Sequence, residues 1–217
     1  MEKSNGAGAN TKYLIGIDEV GRGPIAGPVA VCAFIINDDF LFLSATGRTG
    51  GKDEKNLPRL RDSKKLSKIQ REKWFNFLKE QKEKGNCDYA VSFVSSENID
   101  KFGIAKCIQK ALNKSLLDLL ISSNLSPTTC NLFLDGGLHA PLEYINQETI
   151  IRGDELYPVI SMASIMAKVS RDRIMLAYAK KYPEYGFDSH VGYGTKSHYE
   201  AIKKHGQTPI HRKTFIH

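Results

Sequence analysis

The sequence predicts an α/β fold, a sheet with helices on its faces and a helical C-terminal part. Three observations predict it. Two apolar runs rich in Val, Ile and Ala, residues 13–17 and 25–36, lie close together near the start with a Gly/Pro turn between them, the pattern of neighbouring strands. Later strand-like segments alternate with segments of helical period, which layers helices against a sheet. The chain of 217 residues is 41% hydrophobic and 25% charged, enough to bury a core as one domain, or one domain with a small appendage.

In chain order, residues 1–11 read as a flexible tail and 12–217 as one domain whose helical C-terminal region begins near 183. Residues 44–61 are Gly-rich and charged without apolar period, so they read as an exposed loop. A helix is expected over about 67–84, with Ser67 as N-cap and Ile69, Trp74, Phe77 and Leu78 as its buried face. Residues 89–94 alternate like a strand, and 99–122 carry Ile104, Ile108, Ala111, Leu112, Leu116 and Leu119 at helical spacing. A strand at 131–134 delivers Asp135, and one at 148–151 delivers Asp154. Pro158 suits the first turn of a helix that runs to Pro183, and a last helix near 195–204 precedes the basic string HRKTF.

Lys and Arg exceed Asp and Glu by 31 to 24, giving +7 and a pI near 9.1. That balance suits a polyanionic partner, nucleic acid included, and equally a plain basic soluble protein. Between residues 52 and 84 there are twelve Lys or Arg against six acids, and Lys203, Lys204, Arg212 and Lys213 add to them; such groups neutralise phosphates in a salt-dependent way. Cys32, Cys87, Cys107 and Cys130 are far apart and form no CxxC pair, so neither a zinc site nor a disulfide framework is expected, and a reducing cytoplasm fits. No run approaches the roughly 18 apolar residues of a membrane span, and the N-terminal string lacks an apolar signal core. The histidines show no metal-ligand spacing; His211, beside Arg212, suits a structural or phosphate role better than a catalytic one.

Asp18, Glu19, Asp135 and Asp154 share one feature: each lies at or just beyond the end of a strand-like segment, where α/β sheets collect their ligand sites. Carboxylates gathered there repel one another unless a hard cation neutralises them, and Mg²⁺ or Mn²⁺, with their preference for oxygen, would suit. Such acids are also ordinary turn formers and solvated charges. Successive strand residues point to opposite faces, so Asp18 and Glu19 share a site only if the strand ends or twists between them. Gly21-Arg22-Gly23 supplies bare backbone that a phosphate or ribose hydroxyl can approach, or simply a tight turn; its spacing to Gly27 does not match a dinucleotide fingerprint.

Beyond these separate clues, DEVGRGPIAGPV (18–29) closely resembles the opening signature of the ribonuclease HII family. DSKKLS (62–67), LFLDGG (132–137), RGDELYPVISMASIMAKVSRD (152–172) and GYGTKSHYEAIKKHGQTPIHRKTF (192–215) resemble its later motifs in order, so the likeness covers nearly all the chain after about Lys12. Met162, Arg152 and the Gly-rich stretch before DSKKLS depart from the usual wording without removing a site residue. The resemblance implies a ribonuclease H-like fold, a mixed five-stranded sheet with flanking helices. It implies that Asp18, Glu19, Asp135 and Asp154 are the catalytic, metal-binding carboxylates. Gly21, Arg22 and Gly23 would touch a ribonucleotide's 2′-hydroxyl and phosphate, Tyr193 would pack on the sugar at an RNA–DNA junction, and Lys64 would contact a phosphate. Asp172 lies almost four turns, about 20 Å, along a helix that starts near Pro158, so Asp154 is the better-placed fourth acid and Asp172 reads as a helix-surface or salt-bridge residue.

The resemblance further implies a monomeric endoribonuclease, active on RNA–DNA hybrids and on DNA duplexes containing ribonucleotides, with a place in ribonucleotide excision repair. Two ions of Mg²⁺ or Mn²⁺, about 4 Å apart, would activate water and stabilise the leaving 3′-oxygen. Ribonuclease HIII has a similar fold but adds an N-terminal substrate-binding domain, whereas only about a dozen residues precede the first strand here. A non-catalytic hybrid-binding protein could use the same basic surface, but all four acids are present.

Overall fold

The computed structural model describes residues 13–36, Leu60 and 65–217. The expected tail, nearly all of the Gly-rich loop, and Lys64 lie outside the described residues. Five strands, β1 (Tyr13–Val20), β2 (Val29–Ile36), β3 (Cys87–Val94), β4 (Cys130–Asp135) and β5 (Gln147–Ile150), form one mixed sheet in the order β3-β2-β1-β4-β5. The β1–β2 and β2–β3 pairs are antiparallel, whereas β1–β4 and β4–β5 are parallel. The helices are α1 (Lys68–Glu83), α2 (Ser96–Phe102), α3 (Ile104–Ser123), the short α4 (Gly153–Leu156), α5 (Pro158–Lys181), the short α6 (Phe187–His190) and α7 (Lys196–His205). Among the described residues no helix is long and apolar enough to cross a membrane, and all four cysteines are buried free thiols.

Strand alternation splits the core into two layers. On one face Ile15, Ile17, Val31, Ala33 and Ile35 meet α3 through Ile108, Leu112, Leu116 and Leu119. On the other, Cys32, Phe34 and Ile36 meet α1 through Trp74 and Leu78 and α5 through Ile160, Ala163 and Met166. Gly16 belongs to this second face. A Cβ on it would lie 2.3 Å from the carbonyl carbon and oxygen of Val159 and 2.6 Å from the Ile160 nitrogen. The missing side chain therefore lets the start of α5 rest on the backbone of β1.

Four expectations shift. β1 runs through Asp18 and Glu19 to Val20, because β2 stays paired with it as far as Val20 with Ala30. β2 begins at Val29 rather than 25, since residues 25–28 bond instead to the C-terminal segment: the Ile25 amide donates to the Gly192 carbonyl and the Gly27 amide to that of Ile210. The single helix over 99–122 is two, broken at Gly103 with φ +81. Ile69 is 72% exposed, because it lies nine residues, about two and a half turns, before buried Leu78 and so faces the opposite way. Ser67 does cap α1, in a reciprocal box with Gln70.

The C-terminal part closes over the 21–28 turn through two fully buried arginines. Arg171 donates to the carbonyls of Pro28 (2.8 Å), Val191 (2.9 Å) and Ala26 (3.2 Å). Arg212 donates to those of Gly27 (3.0 Å), Arg22 (3.1 Å) and Gly21 (2.7 Å). Arg212 was expected among the phosphate-facing cations; it is instead internal. Burial first, then the Arg171 charge, pulls its pKa down to about 9, which leaves it protonated at neutral pH. Around Phe187 pack the buried rings of His190, His198 and His211. Burial pulls His198 from 6.5 to about 4, against the hydrogen bond to Tyr193, and it lowers His211 too.

Three outcomes follow from this packing. Gly16→Ala forces α5 off the sheet and costs about 2 kcal/mol or more, read as a lower urea midpoint at unchanged slope. Arg212→Met strands three carbonyls and costs about 3 kcal/mol, lowering Tm by about 6–12 °C, whereas Ala at exposed Arg22 shifts Tm by under about 2 °C. Because the folded state holds His198 and His211 neutral below their unfolded pKa of 6.5, their contribution is complete above that pH. It is lost as pH falls from 6.5 through about 4, so the urea midpoint drops over that window, less steeply in His198→Asn.

Candidate active site

The sheet's arrangement brings carboxylates together at the ends of β1 and β4. The parallel ladder between them stops at Ile17 with Leu134, one residue short of Asp18 and Asp135. Past that point opens a cleft of about 380 Å³, lined by Asp18, Glu19, Gly21, Arg22, Gly23, Asp135 and Tyr193, among others. Because it opens at the end of the sheet, it reaches successive strand residues from both faces, and no break between Asp18 and Glu19 is needed.

Asp18 shares the face of Gly16, two residues on, and so looks toward α5. It is 4% exposed. Burial pushes its carboxyl well above the usual carboxylate range; a hydrogen bond from Ser164 opposes this, and the charges of Asp135, Glu19 and Asp154 add to it. Its Oδ1 also accepts from the Glu19 amide at 2.7 Å. Asp135 ends β4 and accepts from the Gly153 amide at 2.7 Å, tying the strand to the first residue of α4. Asp154 follows on that short helix, four residues beyond β5, and is 1% exposed. Glu19 lies 3.7 Å from the Arg22 guanidinium.

The four acids are thus neighbours, though among the described residues no three His, Cys, Asp or Glu side chains form a ready cation cage. Asp18 and Asp135 each give an oxygen to a backbone amide instead. The donor set fits a hard divalent cation: it offers oxygen only, and a cation would relieve the repulsion that falls on Asp18.

Gly21 has φ +92, and a Cβ there would lie 2.3 Å from Arg171 Nε, so both backbone and packing require glycine. Gly23 is different. A Cβ on it would meet only the Tyr193 ring, at 3.9 Å. Tyr193 itself is 46% exposed at the cleft.

Sequence reasoning missed three polar lining residues, Arg71, Ser164 and Lys168, as well as Val20. Ser164 and Lys168 stand one turn apart on α5, an i, i+4 signal that passes for ordinary helix surface. Lys168 donates to Asp172 at 2.8 Å, which places Asp172 in the expected helical salt bridge.

Residues 15–217 match the family model described as Ribonuclease HII. The chain is 44% identical over 202 residues to ribonuclease HII of Endomicrobium trichonymphae, covering 93% of this chain and 84% of that protein. To ribonuclease HII of Clostridioides difficile it is 40% identical, covering 94% and 70%. Its fold matches ribonuclease H2 from Pyrococcus horikoshii at TM-score 0.66 and 25% identity, covering 93% of each chain. It also matches Bst-RNase HIII, solved with Mn²⁺, at TM-score 0.68 and 14% identity, covering 94% and 67%. Sheet, helices and sequence agree: the chain belongs to the ribonuclease HII family, endoribonucleases of RNA–DNA hybrids that depend on divalent metal.

Proposed function

We propose that this ribonuclease HII cleaves the RNA strand of hybrids and incises on the 5′ side of ribonucleotides embedded in duplex DNA, leaving a 3′-hydroxyl and a 5′-phosphate. The observation that carries this reading is one cleft in which Asp18, Glu19 and Asp135 stand beside an open backbone and a half-exposed aromatic ring, with Asp154 buried behind the lining and close enough for its charge to act on Asp18. Asp18, Glu19, Asp135 and Asp154 would hold two ions of Mg²⁺ or Mn²⁺. Bound there, the ions would supply an activated water and charge stabilisation for the leaving oxygen.

The rest falls to the chain's own groups. Arg212 takes the carbonyls of Gly21 and Arg22 inward. Since a trans peptide sets N–H opposite C=O, the amides of Arg22 and Gly23 point away from that guanidinium, free to meet a phosphate or ribose oxygen. The 2′-hydroxyl is the group that separates RNA from DNA, and the bare Gly23 backbone leaves it room. Tyr193 packs on the sugar at the junction and favours deoxyribose there. Lys168 and Arg71 line the same cleft and suit the flanking phosphates; Lys64 is assigned to a phosphate by its motif alone. The protein works as a monomer in the cytoplasm, its catalytic domain spanning 12–217, in removal of ribonucleotides from DNA.

A labelled DNA duplex with one internal ribonucleotide, incubated with Mg²⁺ or Mn²⁺ beside an all-DNA control, should be cut once, 5′ of the ribonucleotide, and chelation should stop it. Asp18→Asn and Asp135→Asn should each lower kcat on the order of 10²–10³-fold or more while the protein stays folded. An intact duplex in both metals, or full activity in the Asn variants, would overturn the reading.

A further inference from the structure

We propose that His211 and His198 form a neutral imidazole relay that fixes the main chain at Tyr193, and so set how its ring meets the sugar at an RNA–DNA junction. Both are positioning residues, and the inference rests on the reading of Tyr193 as a junction contact.

The proton placement follows from the partners whose roles are fixed. The Thr208 amide donates to His211 Nδ1 at 2.8 Å, so that nitrogen carries a lone pair and the ring proton lies on Nε2. His211 Nε2 is 3.0 Å from His198 Nε2, which therefore accepts. The His198 proton is then on Nδ1, 2.9 Å from the Tyr193 carbonyl, which can only accept. One arrangement satisfies the whole line from Thr208 to Tyr193, with both rings neutral. A further proton on His198 would set two N–H groups against each other across the 3.0 Å contact, and one on His211 would face the Thr208 amide.

The rings have little room to depart from it. His198 is 0% and His211 2% exposed. His190 stacks on His198 with centroids 4.4 Å apart, and is itself held by the Gly192 amide on Nδ1 (3.2 Å) and the Tyr185 carbonyl on Nε2 (2.7 Å). The segment that the relay steadies needs support. Val191 and Gly192 both have positive φ, 45 and 90, so the chain enters Tyr193 through two left-handed residues. Asn or Gln could fill one link, but only a ring with two nitrogens accepts on one side and donates on the other across the width of the core.

The test compares kcat/KM on a duplex with a single ribonucleotide and on a uniform RNA–DNA hybrid, with thermal melting on every variant. His198→Leu removes the imidazole donor at similar volume, leaving the Thr195 amide as the other donor to the Tyr193 carbonyl, and should lower the ratio about tenfold, the worth of one buried hydrogen bond. His198→Asn, whose amide can still reach the Tyr193 carbonyl, should restore it to within about threefold. In a Tyr193→Ala background, His198→Leu should add less than about twofold, because the relay acts through that ring. An unchanged ratio in folded His198→Leu, no rescue by Asn, or an undiminished effect without Tyr193 would overturn the relay. If Tyr193→Ala itself keeps the full ratio, the junction reading fails instead and the relay loses its purpose. Nitrogen NMR of the wild-type histidines reads the relay without activity or mutation: His198 should be in the Nδ1–H form and His211 in the Nε2–H form, and the reverse for His198 would overturn it.

Discussion

One helix, α5, registers almost every part of the site, and it does so because Gly16 lets it touch the backbone of β1. Val159 and Ile160 rest on Gly16, Ser164 bonds to Asp18, Lys168 lines the cleft, Arg171 holds Ala26 and Pro28, and Met175 packs on Gly27. Positions 160, 164, 168, 171 and 175 recur every three or four residues, a single stripe about 22 Å long. That stripe follows β1 and the turn after it in order. A helix displaced by a side chain at residue 16 would lose all these contacts together, since packed interiors accommodate extra atoms poorly.

The site then sets two kinds of buried charge against different partners. Asp18 and Asp154 are almost wholly enclosed beside other acids, an arrangement that raises the Asp18 pKa and invites a cation. Arg171 and Arg212 are enclosed too, but each spends three N–H groups on main-chain carbonyls, which carry partial charge and need donors of their own. The arginines complete the turn at 21–28 from within. The acids instead crowd one another, with Asp18 and Asp135 accepting from backbone amides.

Much of this was legible in the sequence because strands, caps and acids write local signals. The Ser67 box and the apolar runs of β2 and α3 follow from residue type and spacing. Other features depend on contacts far away in sequence. That β1 continues through Asp18 and Glu19 is decided by its partner β2, and the helical period runs across Gly103 without announcing the break. Arg212 passed for a surface cation because charged residues are rarely buried, and Arg171 drew no reading of its own; only the 143- and 191-residue separations to their carbonyls show that both are internal. The four acids were singled out by their place at the ends of strand-like segments and then by the family motifs; that Asp154 rides on a short helix beside Asp135, tied through Gly153, was not visible in either.

The carboxylates and the groups proposed for recognition share α5 but differ in their other supports. Asp18 lies two residues before the end of β1, Asp135 ends β4, and the Gly153 amide ties the helix that carries Asp154 to Asp135. The 21–23 backbone and Tyr193 are steadied instead by the C-terminal part, through Arg212 and through the histidines. Substitutions that loosen that part act on the angle and spacing of the groups proposed to touch sugar and phosphate, while the sheet keeps the acids where they are. Under the proposed function, changes in the C-terminal segment would then bear on which duplex is accepted more than on whether the acids can bind a cation.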